Sequence, residues 1–209
     1  MRIQNFVVFE GGDGSGTTTQ IDCLKKRFEA DSALPRLYAT FEPTGGPIGN
    51  LIRLALKGDI TLQPETLARL FAADRNEHLY GSAGIMEHHR QGSLVVSDRY
   101  ALSSLVYQGL TCGRELPREL NASFPVPELL LFFDIEPETA CRRMQNRSVK
   151  EIYEYLDFQI QVRERYKSLL PWYERNGTAV AVIDGAMPQE EVTEAVWREL
   201  QNLPILKSL

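Results

Sequence analysis

The sequence predicts an α/β fold, a five-stranded parallel sheet with helices on both faces, and three observations carry that prediction. Short runs of bulky apolar residues recur along the chain, each followed by apolar residues at three- and four-residue spacing. One such run, Phe6-Val7-Val8-Phe9, enters the turn Gly11-Gly12-Asp13-Gly14-Ser15-Gly16, which opens directly into helical periodicity. Four of the five predicted strands end on an acid, namely Glu10, Asp98, Asp134 and Asp184. Ligands of parallel sheets sit outside the carboxyl ends of the strands.

The elements follow in order. Phe6 to Phe9 has no polar alternation, as expected of a strand buried on both faces. Ile21, Leu24 and Phe28 share one helical face and give a first helix to about Glu29. Ser32 to Pro35 is a turn, and Leu37 to Phe41 is a second strand ending in the breaker-rich loop Glu42-Pro43-Thr44-Gly45-Gly46-Pro47. Pro47 suits the first position of a short helix carrying Ile48, Leu51, Ile52 and Ala55, which Gly58 stops. Pro64-Glu65 opens a long helix with an acid in its first turn, and the pattern runs on to about His89.

Leu94 to Asp98 is a third strand, and Leu102 to Gln108 is helical. Gly109 to Val126 contains two prolines and two glycines and is predicted to be mostly irregular. Leu129 to Asp134 is a fourth strand, and Pro137 starts a helix through Met144. The polar stretch from Gln145 to Glu154 precedes a long helix from Leu156 towards Trp172. Ala179 to Asp184 is the last strand, and Met187-Pro188-Gln189-Glu190 opens the final helix. This alternation, without internal repeats, predicts one domain over residues 1–209.

Composition bounds the function. A hydrophobic fraction of 43% and a charged fraction of 24% are those of an ordinary globular protein. A net charge of −5 gives no support for nucleic-acid binding through a basic surface, yet leaves room for a small anion held locally. No apolar run approaches the roughly 18 residues of a membrane span, and the N-terminus lacks a signal-peptide layout. Cys23, Cys112 and Cys141 are odd in number and widely spaced, which suits a reducing compartment, so the cytoplasm is expected.

The glycine turn is where chemistry is expected. Its glycines let the backbone curl so that successive N–H groups point inward, and the helix start adds a positive dipole end. A polyphosphate is the natural occupant, although a glycine-rich turn can also serve packing alone. The pattern G-x-x-x-x-G-K-[ST] runs from Gly11 to Thr18 with one departure: Thr17 stands where the pattern has lysine.

From Phe9 to about Leu200 the chain resembles the thymidylate kinase family of nucleoside-monophosphate kinases. The segments that carry the resemblance are Phe9 to Gly16, Glu42-Pro43 with Pro47-Ile48-Gly49 and Ile52-Arg53, and Leu70 to Arg75. They continue with Asp98-Arg99-Tyr100, Ser103-Ser104, Tyr107-Gln108-Gly109 and Ile152-Tyr153-Glu154. The resemblance implies the P-loop nucleoside-monophosphate-kinase fold, ATP and dTMP as substrates, Mg²⁺ as the metal, and a homodimer.

Several residues make chemical sense beside it. Phe71 and Arg75, four apart on one helix, pair an aromatic plane with a guanidinium, a combination that can stack and read a pyrimidine. A core phenylalanine with a solvated arginine is the bland alternative. Ser104 and Gln108 repeat the spacing and can close the base edge, while Tyr107 can crowd the sugar 2′ position. Thr18 matches the magnesium-ligating hydroxyl of P-loop proteins. Asp98 suits the metal through water, or else caps the next helix or pairs with Arg99.

Other roles are implied by the resemblance alone. Gly11, Gly12, Asp13, Gly14, Ser15, Gly16, Thr17, Thr18 and Thr19 would hold the ATP phosphates. Asp13 would stand between donor and acceptor, and Arg99 would bind the monophosphate and neutralise charge during transfer. Glu42, Pro43 and Tyr153 would complete the dTMP site with Arg53, which is either a second phosphate ligand or a surface residue of its short helix. A lid around residues 145–154 would bring Arg147 and Lys150 over ATP, chosen by position from a group that includes Arg142 and Arg143. The loop Ile183-Asp184-Gly185-Ala186 would approach the adenine.

The expected reaction is transfer of the γ-phosphoryl of ATP to dTMP, giving dTDP and ADP. The competing class is a binding-only relative that lost turnover with the lysine. A regulatory GTPase is set aside because the chain has no N-K-x-D motif and carries Ala101 three residues after Asp98, where glycine is expected. Glu87-His88-His89-Arg90 is expected to be a solvated helix end, since adjacent histidines on a helix diverge.

Overall fold

Side-chain alternation along the first strand decides the layering. In a computed structural model that describes residues 1–144 and 151–207, β1 (Arg2–Gly11) lies at the centre of a five-stranded sheet. The others are β2 (Leu37–Phe41), β3 (Leu94–Asp98), β4 (Val126–Asp134) and β5 (Ala179–Asp184), in the order β2-β3-β1-β4-β5. Every neighbouring pair is parallel. The described helices are α1 (Thr17–Ala30), α2 (Pro47–Leu56), α3 (Pro64–Tyr80), α4 (Ile85–Arg90) and α5 (Ala101–Thr111). They continue with α6 (Glu115–Asn121), α7 (Pro137–Met144), α8 (Leu156–Arg175), α9 (Gln189–Leu200) and α10 (Pro204–Lys207).

Val7 and Phe9 of β1, with Leu94, Val96, Leu129 and Leu131, pack on Ile21 and Leu24 of α1 and Val192, Val196 and Leu200 of α9. The alternate residues face the other way. Phe6 and Val8 meet Leu79 of α3 and Ile85 of α4, while Leu130 and Phe132 meet Val106 of α5 and Val162 and Tyr166 of α8. All of β1 from Phe6 to Phe9 is buried, as strands covered on both faces must be.

Three expectations need correction. The helix predicted from Pro64 to about His89 is two helices, α3 and α4. A Cβ on Gly81 would lie 2.5 Å from the Glu77 carbonyl, one on Gly84 would lie 2.7 Å from that of His78, and Ala83 between them has a φ of 57°. Only a chain that leaves the helix can make that turn. The stretch Gly109 to Val126 is not mostly irregular: α6 forms within it, and Pro117 sits in the first turn, where a missing N–H breaks no helical hydrogen bond. The chain also does not end its helices at α9, because α10 packs Leu206 under the sheet.

The sheet order places the topological switch between β1 and β3. The chain leaves β1 for β2 on one side and leaves β3 for β4 on the other, and Phe9 is paired with Asp98 across the gap. That is where such folds bind ligands. All three cysteines are half-buried, and none is in a disulfide. Among the described residues no helix is long and apolar enough to cross a membrane.

Candidate active site

The turn after β1 is built for close backbone approach. Gly14 and Gly16 have φ of 80° and 96°, and a Cβ on Gly14 would lie 2.7 Å from the Ala140 carbonyl. Gly16 is the N-cap of α1 and has no side chain to occupy the helix's first N–H groups, which are left for an anion. The Ser15 hydroxyl is buried there with no protein partner. The loop opens on a cleft of about 870 Å³ at the switch point. Residues 12–19 line it, and Gly11 lies beneath them, its carbonyl accepting a hydrogen bond from Arg99.

Arg99 follows β3 with a φ of 68° and reaches across to β1. Its Nη2 donates to Asp13 Oδ1 at 2.6 Å and its Nη1 to the Gly11 carbonyl at 2.9 Å. The same Nη1 stands 3.4 Å from the Tyr107 hydroxyl, with the guanidinium 5.3 Å from the Tyr107 ring centre. Burial holds the Tyr107 phenol well above its usual pKa, so that hydroxyl stays neutral. Asp13 is held from its other side by Gln159, whose Nε2 donates to Oδ2 at 2.7 Å while its Oε1 accepts the Asp13 N–H at 3.1 Å. Gln159 lies on α8, some 146 residues away, and nothing in its local sequence marks it.

Of the four strand-end acids, Asp98 alone lines the cleft. Thr18 Oγ1 donates to Asp98 Oδ2 at 2.6 Å, and Asp98 Oδ1 is buried without a partner. An orphaned carboxylate oxygen beside a hydroxyl is an all-oxygen donor set that fits a hydrated Mg²⁺. Asp134 is bound instead by Arg163 at 2.6 Å and Lys167 at 2.9 Å. Burial alone would raise its pKa, and the two cations outweigh it and hold the carboxyl below its usual value. Asp184 accepts the Ala186 N–H, and Glu10 points away from the cleft. His88 stacks on Tyr38 at 3.5 Å between ring centres, and the described residues contain no cluster of three or more acids, histidines or cysteines fit to hold a metal ion.

The base side divides into wall and framework. Phe71, Tyr107, Gln108, Tyr153, Glu42, Pro43 and Arg53 line the cleft. Arg75 and Ser104 do not. Arg75 is 1% exposed; its Nε and Nη2 donate to Glu42 Oε2 at 2.9 and 2.7 Å, Nη2 also reaches Ser104 Oγ at 3.1 Å, and Nη1 donates to Asn121. The physical reason is Glu42, a carboxylate buried at the end of β2 that requires a cation. His78 takes its other oxygen at 3.0 Å. Ser103, one position earlier on α5, stands on the cleft wall in place of Ser104. Arg53 donates to the Pro43 and Thr44 carbonyls and so braces the loop after β2.

Thr17 is buried at the cleft floor, with no cation of its own. Among the described residues the cleft is lined by Lys25, Arg53, Arg99 and Arg143. Lys25 is paired with Asp22 at 3.0 Å, and Arg143 donates to the Gly185 carbonyl at 2.8 Å, which brings the end of α7 to the loop after β5. Arg147 and Lys150, expected over ATP, lie outside the described residues, as does most of the expected lid.

The thymidylate kinase family model matches residues 9–196. A Treponema pallidum protein is 40% identical over 208 residues, covering 98% of this chain and 99% of its own. One from Pyrobaculum aerophilum is 45% identical over 163 residues, covering 77% and 80%, and one from Methanococcus vannielii is 35% identical over 211 residues, covering 97% and 98%. All three bear thymidylate kinase in their names, provisionally. A glycine loop at the switch of a parallel sheet, an arginine and a carboxylate locked together beside it, and this extent of identity lead to one statement: the chain belongs to the thymidylate kinase family.

Proposed function

We propose that the protein transfers the γ-phosphoryl of ATP to the 5′-phosphate of dTMP, giving dTDP and ADP. The observation that carries this is the placing of Arg99. It sits between the glycine loop and the aromatic wall, bound to Asp13 at 2.6 Å, at the one point where donor and acceptor phosphates would meet.

The acceptor is already an anion, so the reaction needs positioning and charge neutralisation more than a strong base. The loop N–H groups from Gly12 to Thr19 would hold the donor phosphates. Phe71 would stack the thymine, Gln108 would meet its polar edge, and Tyr107 with Tyr153 would enclose the sugar. Glu42, Pro43 and Arg53 shape the loop beneath the acceptor, while Arg75 and Ser104 act from behind the wall. Arg99 would span both phosphates, and Asp13, fixed by Arg99 and Gln159, would orient the acceptor. Thr18 and Asp98 would hold Mg²⁺, which supplies neutralisation of phosphate charge when bound. Membership of the family supports transfer, and no observation favours a binding-only relative.

One kinase domain, a homodimer and a cytoplasmic setting belong to the same reading. Leu51 and Leu54, 38% and 43% exposed on α2, support a partner surface, and three cysteines outside any disulfide support a reducing compartment. An ADP-release assay with the four deoxynucleoside monophosphates tests the substrate assignment. dTMP should be used far better than dGMP or dAMP, and equal use of a purine monophosphate would overturn it.

A further inference from the structure

The penultimate residue of β1, the strand that enters the glycine loop, is Glu10, whose carboxylate takes no direct part in the cleft. It is 0% exposed and points toward α5 and α8. Oε1 accepts the backbone N–H groups of Tyr100 at 3.0 Å and Ser103 at 3.3 Å. Oε2 accepts from the Ser103 hydroxyl at 2.6 Å and the Tyr166 hydroxyl at 3.0 Å, and these two hydroxyls are 2.7 Å apart. Each of them also lies 3.3 Å from Arg99 Nη1.

We propose that Glu10 is a positioning residue for phosphoryl transfer, fixing the Arg99 guanidinium through the Ser103 and Tyr166 hydroxyls. The inference rests on the kinase reading above. A hydroxyl has one proton and two lone pairs. With Glu10 ionised, the Ser103 and Tyr166 protons can both turn to the carboxylate, and their lone pairs are left to receive Arg99. With Glu10 protonated, its own proton takes a lone pair and one hydroxyl proton must turn away, toward the other hydroxyl 2.7 Å off, so fewer lone pairs are left to receive Arg99. The carboxylate thus orients two hydroxyls that meet the same guanidinium.

Burial pushes the Glu10 pKa up to about 7, against the opposing pull of Ser103, Arg99 and Tyr166, so its two states exchange near neutral pH. The charged and titratable groups that face it are Arg99 and Tyr100 at the β3–α5 junction and Tyr166 and Tyr173 on α8. Asp13 and Tyr107 stand beyond, on the far side of Arg99.

The test compares kcat from pH 6 to 8 for the parent, Glu10→Gln and Tyr166→Phe, with ATP and dTMP saturating. Titration of the acceptor phosphate is common to all three and cancels in the ratio. The parent-to-Glu10→Gln ratio of kcat should rise about tenfold across that range, with both KM values moving less than about threefold. Tyr166→Phe keeps the carboxylate but cuts one link, and its kcat profile should flatten in the same sense. If Glu10→Gln does not fold, Tyr166→Phe decides alone. Profiles parallel to the parent overturn the proposal while leaving the kinase reading intact. A folded parent that transfers no phosphoryl to dTMP overturns the kinase reading first, and the two failures are distinct.

Discussion

Replacing Arg75 by methionine should unfold the protein more readily before it alters any contact with substrate. Arg75 and Glu42 are 1% and 3% exposed at their side chains and 2.7 Å apart, so the substitution leaves a buried carboxylate with part of its partnership gone. Breaking one side of such a pair costs about 3–5 kcal/mol. Glu42 retains His78 at 3.0 Å, which places the loss near the lower end, about 3 kcal/mol. For a chain of this size each kcal/mol lowers Tm by about 2–4 °C, so calorimetry should show a fall of about 6–12 °C. The double variant Glu42→Gln/Arg75→Met removes the stranded charge and should recover more than half of that loss. A single variant within about 1 kcal/mol of the parent, or a double variant worse than the single, would refute the buried-pair account.

Other outcomes follow from the same geometry. Arg99→Ala should lower kcat by about 10³-fold or more while Tm changes little, and retention of more than a tenth of the activity would contradict the role proposed for it between the phosphates. Gln159→Leu frees Asp13 from one side and should cost about tenfold to a hundredfold in kcat, the worth of one or two hydrogen bonds to a charged group, with ATP KM unmoved. Thr17→Lys should lower the ATP KM by about tenfold or more by adding a charged donor at the loop, and a weaker ATP interaction would show that a cation already serves there. Glu10 is raised from 4.5 to about 7 by burial, so the folded protein binds its proton more tightly than the unfolded chain. Its contribution is full below about pH 4.5 and is lost as pH rises through about 7, some 3 kcal/mol in all. Denaturant midpoints of the parent should therefore fall from pH 5 to pH 8 relative to those of Glu10→Gln.

The glycine loop, Asp98-Arg99 and the five strands could be read from local pattern, because each depends on residues within one turn or one run. What could not be read is what depends on a partner far along the chain. The four-residue spacing of Phe71 and Arg75 correctly puts them near one face of α3, yet a buried Glu42 claims Arg75 and keeps it behind the wall. Ser103 and Ser104 are adjacent, and only the seating of α5 against β1 decides that Ser103 meets the cleft and Ser104 meets Arg75. Gln159 and Tyr166 reach the site from α8, on a helix whose apolar spacing marks it only as packing. The break between α3 and α4 was hidden for the opposite reason. His88, which stacks on Tyr38, continues an apparent helical period across glycines that turn the chain.

This cleft is proposed to join a phosphoryl donor to dTMP. A single-turnover experiment with enzyme in excess, γ-labelled ATP, dTMP and Mg²⁺ tests it directly, separating nucleotides from inorganic phosphate. The label should pass from ATP into dTDP, in proportion to the ADP formed, and should not do so with Arg99→Ala. Label that stays in ATP, or appears only as inorganic phosphate while the folded protein binds both nucleotides, would contradict the account.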